Sequence, residues 1–104
     1  MNDAERYAFL RTAARLVATT EPSGDGRMLY NARSAIVGAS AAIVAVLATD
    51  GDPIAWGRLT LTLRDAAECL ARTGDGPESS AFEDVANAAL REYEGCLRNV
   101  AASR

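Results

Sequence analysis

The sequence contains no histidine, no lysine and no glutamine, so all of its positive side-chain charge comes from 11 arginines. Without histidine it lacks the commonest general base and the commonest metal ligand. Without lysine it lacks the amine of Schiff-base chemistry and of phosphate-binding loops. No catalytic or cofactor motif compensates for these absences. We therefore expect a protein that is not an enzyme and that needs no cofactor or metal.

Cysteine is scarce: Cys69 and Cys96 are the only two and form no CxxC pair. Because a helical hairpin closing near residue 76 would leave them about 18 Å apart along its axis, far beyond the ~7 Å limit for the Cα atoms of a disulfide, we expect two buried, reduced thiols. The start of the chain is acidic and polar, unlike a secretory signal. These features favour a cytoplasmic location.

The length of 104 residues suits a single domain, here spanning the whole chain, 1–104. The 14 acidic residues outnumber the basic ones and give a net charge of −3, which argues against direct nucleic-acid binding. The charge is uneven: residues 50–94 hold ten acids and four arginines, whereas the rest holds four acids and seven arginines. The acidic part is thus the more distinctive surface.

Three glycine- and aspartate-containing loops, at residues 20–26, 50–53 and 74–77, separate four segments with helical periodicity. The segments predict helices over residues 3–19, 27–49, 53–73 and 80–102. Asn2 or Asp3 can cap the first helix, and Asp52 followed by Pro53 suits the start of the third. A capping box from Ser80 to Glu83 predicts the start of the fourth. Residues 59–63 also alternate with a period of two, so a short strand remains an alternative there.

The second predicted helix has no charged residue from Ser34 to Thr49. Ile36, Ile43, Val46 and other bulky residues share one broad face, and small residues occupy the opposite one. A helix that is apolar all round is normally buried all round, so we expect it at the centre of the fold. Sixteen uncharged residues span only about 24 Å, short of the ~30 Å membrane core, and no membrane role is predicted. The fold class is therefore all-α, a compact antiparallel four-helix bundle with an apolar central second helix.

The acidic part of the chain supports a first hypothesis: a small acidic module that acts by stoichiometric occupation of a protein partner. The partner would present a basic surface of the kind that binds nucleic acid. Phage or mobile-element inhibitors of host nucleoprotein systems, CRISPR-type systems among them, share this size and charge, an analogy of class with no motif behind it. The residues predicted to form the acidic face are Asp75, Glu78, Glu83, Asp84 and Glu94.

Two further hypotheses stay open. A structural or regulatory homodimer would use the small face of the second helix, since two-fold interfaces are self-complementary. Its predicted self-association residues are Ser34, Gly38, Ala41 and Ala45, with Trp56 as a core or interface anchor. A small helical carboxylate or metal enzyme is the other alternative. It rests on Asp65 and Glu68, which share a helix face but lack a second pair of carboxylates.

Overall fold

Four helices make up most of residues 1–49 and 51–103, the part of the chain that the computed structural model describes. They are α1 (Asp3–Thr19), α2 (Gly26–Ala48), α3 (Pro53–Arg72) and α4 (Gly76–Ala102). No strand occurs among the described residues, which confirms the all-α four-helix bundle and makes residues 59–63 helical. Asp50, part of the second predicted loop, lies outside the described residues.

Side-chain caps set the start of two helices where the sequence predicts them. The Asn2 side chain accepts a hydrogen bond from the backbone N–H of Glu5 at 2.8 Å, within a capping box, and Asp52 accepts one from Ile54 at 3.0 Å. The predicted start of α4 at Ser80 is wrong, because the helix begins four residues earlier, at Gly76. Pro77 fits the first turn of a helix, where its missing N–H costs no hydrogen bond.

Helix α3 lies in the middle of the bundle and packs on both α4 and α2. Its antiparallel pairing with α4 is visible at both ends. The Ser79 hydroxyl donates to the Ala67 carbonyl at 2.7 Å near the connecting loop, and the Tyr93 ring covers Gly57 at the far end. Four of the five largest fully buried side chains come from α3; the five are Trp56, Leu59, Leu63, Leu70 and Phe82.

Helix α2 is buried on one side only, so the expectation of a central second helix enclosed on all sides is corrected. Seven of its residues are buried, including Ile36, Ile43 and Val46. Its opposite side faces outwards, where Val37 and Val44 are 68% and 63% exposed. The physical reason is the number of helices: α3 covers one flank of α2, α1 contacts it less extensively, and no described element lies over the rest.

A partly buried ion pair joins α1 to α4. Glu92 is 5% exposed and accepts a hydrogen bond from the Arg6 guanidinium at 2.5 Å and one from the Met1 amino group at 3.1 Å. The hydrogen bond to Glu92 raises the pKa of Arg6, so the guanidinium stays charged throughout the working range of pH. Because a charge in the interior needs a partner, this pair fixes how α1 lies against α4.

A second polar link ties the first loop to the loop before α4. The Asp75 carboxylate accepts hydrogen bonds from the Ser23 hydroxyl at 2.6 Å, from the Ser23 backbone N–H at 2.9 Å and from the Thr73 hydroxyl. These bonds, the Ser23 hydroxyl first among them, lower the pKa of Asp75 below its ordinary value of 3.8 because they favour the charged carboxylate. Asp75 therefore has a structural role between the loops.

Replacing Arg6 by methionine removes the main partner of a buried carboxylate and keeps most of the apolar stem. We expect Arg6→Met to lower the free energy of unfolding by about 1–3 kcal/mol, the cost of an incompletely paired buried acceptor. Urea unfolding followed by circular dichroism measures it. Arg15→Met, at an exposed position of the same helix, is the matched control and should stay within about 0.5 kcal/mol of wild type. Equal losses in the two variants would contradict a structural role for the pair.

The loop link predicts a pH dependence. A carboxylate whose pKa is lowered in the folded state stabilises the fold above its unfolded pKa, near 3.8, and the contribution is lost as the pH falls through the folded value. Asp75→Asn should therefore melt at a lower temperature than wild type at neutral pH, and the difference should shrink as the pH falls below 3.8. Thermal unfolding measured at neutral pH and at a pH below 3.8 tests this, and Asp84→Asn, at an exposed position, is the control. A deficit that stays constant down to low pH would contradict the assignment.

Candidate functional site

The outward side of α2 carries a row of six exposed, uncharged residues. Their spacing alternates between four and three residues, and at 100° per residue they fall within an arc of about 80°. We call this row the α2 seam: Tyr30, Ser34, Val37, Ala41, Val44 and Ala48. Such a spacing is typical of a helix that packs lengthwise against another helix.

Large and small residues alternate along the α2 seam. Tyr30, Val37 and Val44 are 69%, 68% and 63% exposed, and a small residue follows each of them. No described element of the chain covers these three side chains. A continuous apolar row of this kind marks a binding surface more often than scattered single residues do.

A groove between α2 and α3 runs beside the α2 seam. Its apolar half has a volume of about 390 Å³ and is lined by Gly38, Ala41, Ala42, Ala45, Arg58, Leu61 and Thr62. Its polar half has a volume of about 340 Å³ and is lined by Asn31, Ser34, Ala35, Gly38, Thr62, Asp65, Cys69 and Arg72. The two halves share Gly38 and Thr62, so these residues mark the middle of the groove.

Charges flank the middle of the groove on the α3 side. Arg58 lies in the apolar half and Asp65 in the polar half, both exposed and two helical turns apart. The Sγ atom of Cys69 lies 4.0 Å from the Asp65 carboxylate. Burial, followed by the charge of Asp65, raises the pKa of Cys69, so its thiol is protonated at neutral pH. Cys69 and Cys96 are both free and buried, as the sequence predicts.

The predicted self-association residues divide between the groove and the core. Ser34, Gly38, Ala41 and Ala45 line the groove, as the small face of the second helix suggests. Trp56 does not join them and is corrected to a core residue: it is 1% exposed, and its ring centroid lies 5.9 Å from that of Phe9 on α1.

At Gly38, no neighbouring part of the described chain requires the side chain to be absent. A Cβ atom added there would meet nothing within 4 Å, apart from its own helix. Gly57 differs, since the Tyr93 ring would lie 3.2 Å from such an atom. The absence of a side chain at Gly38 therefore leaves open space at the middle of the groove rather than room for another part of the chain.

The predicted acidic face does not form a single patch. Asp75 is engaged between two loops, and Glu78 is partly buried on the other side of α4 from the rest. Glu83, Asp84 and Glu94 are exposed and share the outer face of α4. At 100° per residue, however, Arg91 and Arg98 lie on the same face and offset much of its negative charge.

A groove between α3 and α4, of about 380 Å³, mixes both signs of charge. Arg64, Glu68, Glu83 and Asn87 are among its lining residues. No third metal-binding side chain joins Asp65 and Glu68, since residues 1–49 and 51–103 contain no group of three side chains arranged to hold a metal ion. The carboxylate enzyme alternative therefore gains no support from the geometry of the described residues.

Among the described helices, α2 alone has the length and apolar character that a membrane span requires. Its most apolar window of 18 residues has a mean hydropathy of 1.6, and 39% of that window is buried in the bundle. The core helix of a soluble protein passes the same test. By length and composition, α2 fits both a membrane-spanning helix and the core helix of a soluble protein.

Sequence reasoning missed two features of the structure. It predicted a second helix buried all round, although the regular spacing from Tyr30 to Ala48 already indicates a second, separate row. It also missed the burial of Glu92, which no periodicity reveals because the partner residue Arg6 lies 86 positions away.

The chain matches no protein-family model, and no curated protein or solved structure shows significant similarity to it.

Proposed function

We propose that this chain works by binding protein rather than by catalysis, that the α2 seam is its contact surface, and that the partner is a second copy of the chain. The observation that carries the proposal is the uncovered row of uncharged, mostly apolar residues from Tyr30 to Ala48 at helix-pairing spacing. A helix that exposes such a row to water is stabilised most when a matching helix covers the row and removes its apolar surface from water.

The size of the surface is sufficient for a homodimer. With 23 residues, α2 is about 34 Å long, and with the adjacent row of α3 the surface is roughly 20 Å wide, which gives about 700 Å² per copy. A stable interface of standard size buries about 800 Å² per partner. The α2 seam and the groove beside it are therefore close to the area that a specific dimer requires.

Charge also favours a second copy over a charged partner. The stretch from Ser34 to Thr49 contains no charged residue, so two copies can approach along it without like-charge repulsion and without burying an unpaired charge. A strongly basic or acidic partner would lose the hydration of its own charges against this surface. Self-association suits the composition of the surface best.

Glutamate at the centre of the α2 seam should separate the copies. Val37→Glu and Val44→Glu each place a charge in the proposed contact, and by symmetry each affects both copies. We expect a dimeric wild type, and a dissociation constant at least about 100-fold weaker in either variant, since two buried valines contribute about 3 kcal/mol or more. Light scattering after size-exclusion chromatography, over a range of concentrations, measures the mass.

Leu97→Glu is the matched control, because Leu97 is an exposed apolar residue on α4, outside the α2 seam. It should leave the dimer intact, and circular dichroism should show unchanged helix content in all three variants. A wild type that is monomeric at every concentration would overturn the proposal. So would wild type that floats with lipid vesicles while Val37→Glu does not, since that result would assign the α2 seam to a membrane surface.

The outer face of α4 supports a second candidate function, the occupation of a basic protein partner. Glu83, Asp84 and Glu94 are exposed. Arg91 and Arg98 reduce the net charge of this face, but among the described residues none of the three carboxylates forms an ion pair with them or with another residue. The inhibitor hypothesis drawn from size and charge would act through this face. Exposed carboxylates contribute mainly to the rate and salt dependence of association.

Charge reversal tests this second function separately from dimerisation. Binding of an arginine-rich peptide can be followed by fluorescence anisotropy at low and moderate salt. We expect the variant Glu83→Lys with Asp84→Lys to bind at least about 10-fold more weakly than wild type while keeping its dimer mass. The double reversal Glu21→Lys with Asp25→Lys changes the net charge by the same amount at two exposed acids outside α4, and serves as the control. Equal weakening in the two double variants would contradict a specific role for the α4 face.

A further inference from the structure

The positions of the α2 seam are symmetric about residue 39, and each large residue on one side has a small residue at the same distance on the other side. Tyr30 and Ala48 lie nine residues on either side of it, Ser34 and Val44 lie five, and Val37 and Ala41 lie two. Each of these pairs combines one large and one small residue. We propose that two copies pair antiparallel about a two-fold axis level with residue 39 of α2, an inference that rests on the self-association proposed above.

Antiparallel pairing about this level matches every large residue with a small one. Tyr30 of one copy lies opposite Ala48 of the other, Val44 opposite Ser34, and Val37 opposite Ala41. The two helix axes can then keep a constant separation along the whole contact, as close packing requires. Antiparallel helices also place opposite ends of their dipoles side by side.

Parallel pairing would place each residue of the α2 seam opposite the same residue of the other copy. Layers of two tyrosines or two valines would then alternate with layers of two alanines or two serines. Because no single separation of the axes suits both kinds of layer, the small layers would leave cavities. The order of residues therefore favours the antiparallel dimer.

The positions of two charged residues on α3 independently indicate an axis at the level of residue 39. Arg58 and Asp65 lie on either side of a midpoint between Leu61 and Thr62, and the groove joins Thr62 to Gly38, next to residue 39. A two-fold axis at this level brings Arg58 of each copy level with Asp65 of the other. Two intermolecular ion pairs follow, with the exposed Leu61 close to the axis.

Parallel pairing would have the opposite electrostatic effect. It would place Arg58 level with Arg58 and Asp65 level with Asp65, and like charges at close range are destabilising. The open space over Gly38 lies at the proposed axis, where a second helix can approach closely. Packing and charge thus indicate one arrangement, from residues on two different helices.

Charge exchange between Arg58 and Asp65 tests the arrangement. In the antiparallel dimer, Arg58→Asp alone sets two carboxylates against each other, and Asp65→Arg alone sets two guanidinium groups together. We expect each single variant to weaken dimerisation at least about 10-fold, and the double variant, which restores two opposite pairs, to return to within about threefold of wild type. Sedimentation equilibrium at low salt measures the constants. Arg64→Asp, at an α3 position outside the groove between α2 and α3, is the matched control.

Cysteine cross-linking gives a second measurement. When copies carrying Val37→Cys are mixed with copies carrying Ala41→Cys, oxidation should link residue 37 of one to residue 41 of the other, as read by peptide mass mapping. Links between two copies of residue 37 would overturn the antiparallel register. A double charge variant that dimerises no better than the single variants would overturn it too.

The two proposals fail in different ways. A wild type that never dimerises removes the proposed function and this inference together. A wild type that dimerises and is disrupted by Val37→Glu, but is not rescued by the charge exchange, keeps the self-association function and rejects the register.

Discussion

The burial of α3 between α2 and α4 is the constraint on which the rest of the structure depends. A helix with four large side chains fully buried has to be covered on at least two sides, and α2 and α4 provide that cover. Of the remaining helices, only α1 is left to cover α2, and it contacts α2 less extensively than α3 does. The outward side of α2 is therefore left apolar and uncovered, which is the origin of the proposed binding surface.

Turn chemistry made most of the fold predictable. Glycine, aspartate and proline mark three loops, and caps such as Asn2 and Asp52 act where the sequence places them. The start of α4 was not predictable from Ser80 and Glu83 alone, since Gly76 and Pro77 extend the helix backwards. The burial of α2 was misjudged for a different reason. Periodicity shows which sides of a helix are apolar, but it does not show how many neighbours the chain has available to cover them.

The candidate site was predictable only in part, and the reason lies in contacts between distant residues. Ser34, Gly38, Ala41 and Ala45, which the sequence places on the small face of the second helix, line the groove beside the α2 seam, and their role in self-association stays a prediction. The acidic face was drawn from composition, and composition does not reveal that Asp75 binds Ser23 across the loops. Trp56 appeared as a possible anchor for a partner because a single large aromatic residue fits a core and an interface equally well. The structure shows that it is a core residue, because its side chain lies on the side of α3 that faces α1 and is 1% exposed.

The two sides of α2 separate stability from association. A polar substitution among Ile36, Ile43 and Val46 would open the core, because these residues are buried against the other helices. The same substitution at Val37 or Val44 removes nothing from the core, because both side chains already face water. Both valines are mostly exposed among the described residues, so the proposed contact between chains would give the regular order of large and small residues around them a physical explanation. In the proposed dimer that order also constrains the partner, because a helix with the complementary sequence of sizes packs most closely against it, and α2 in reverse has that sequence.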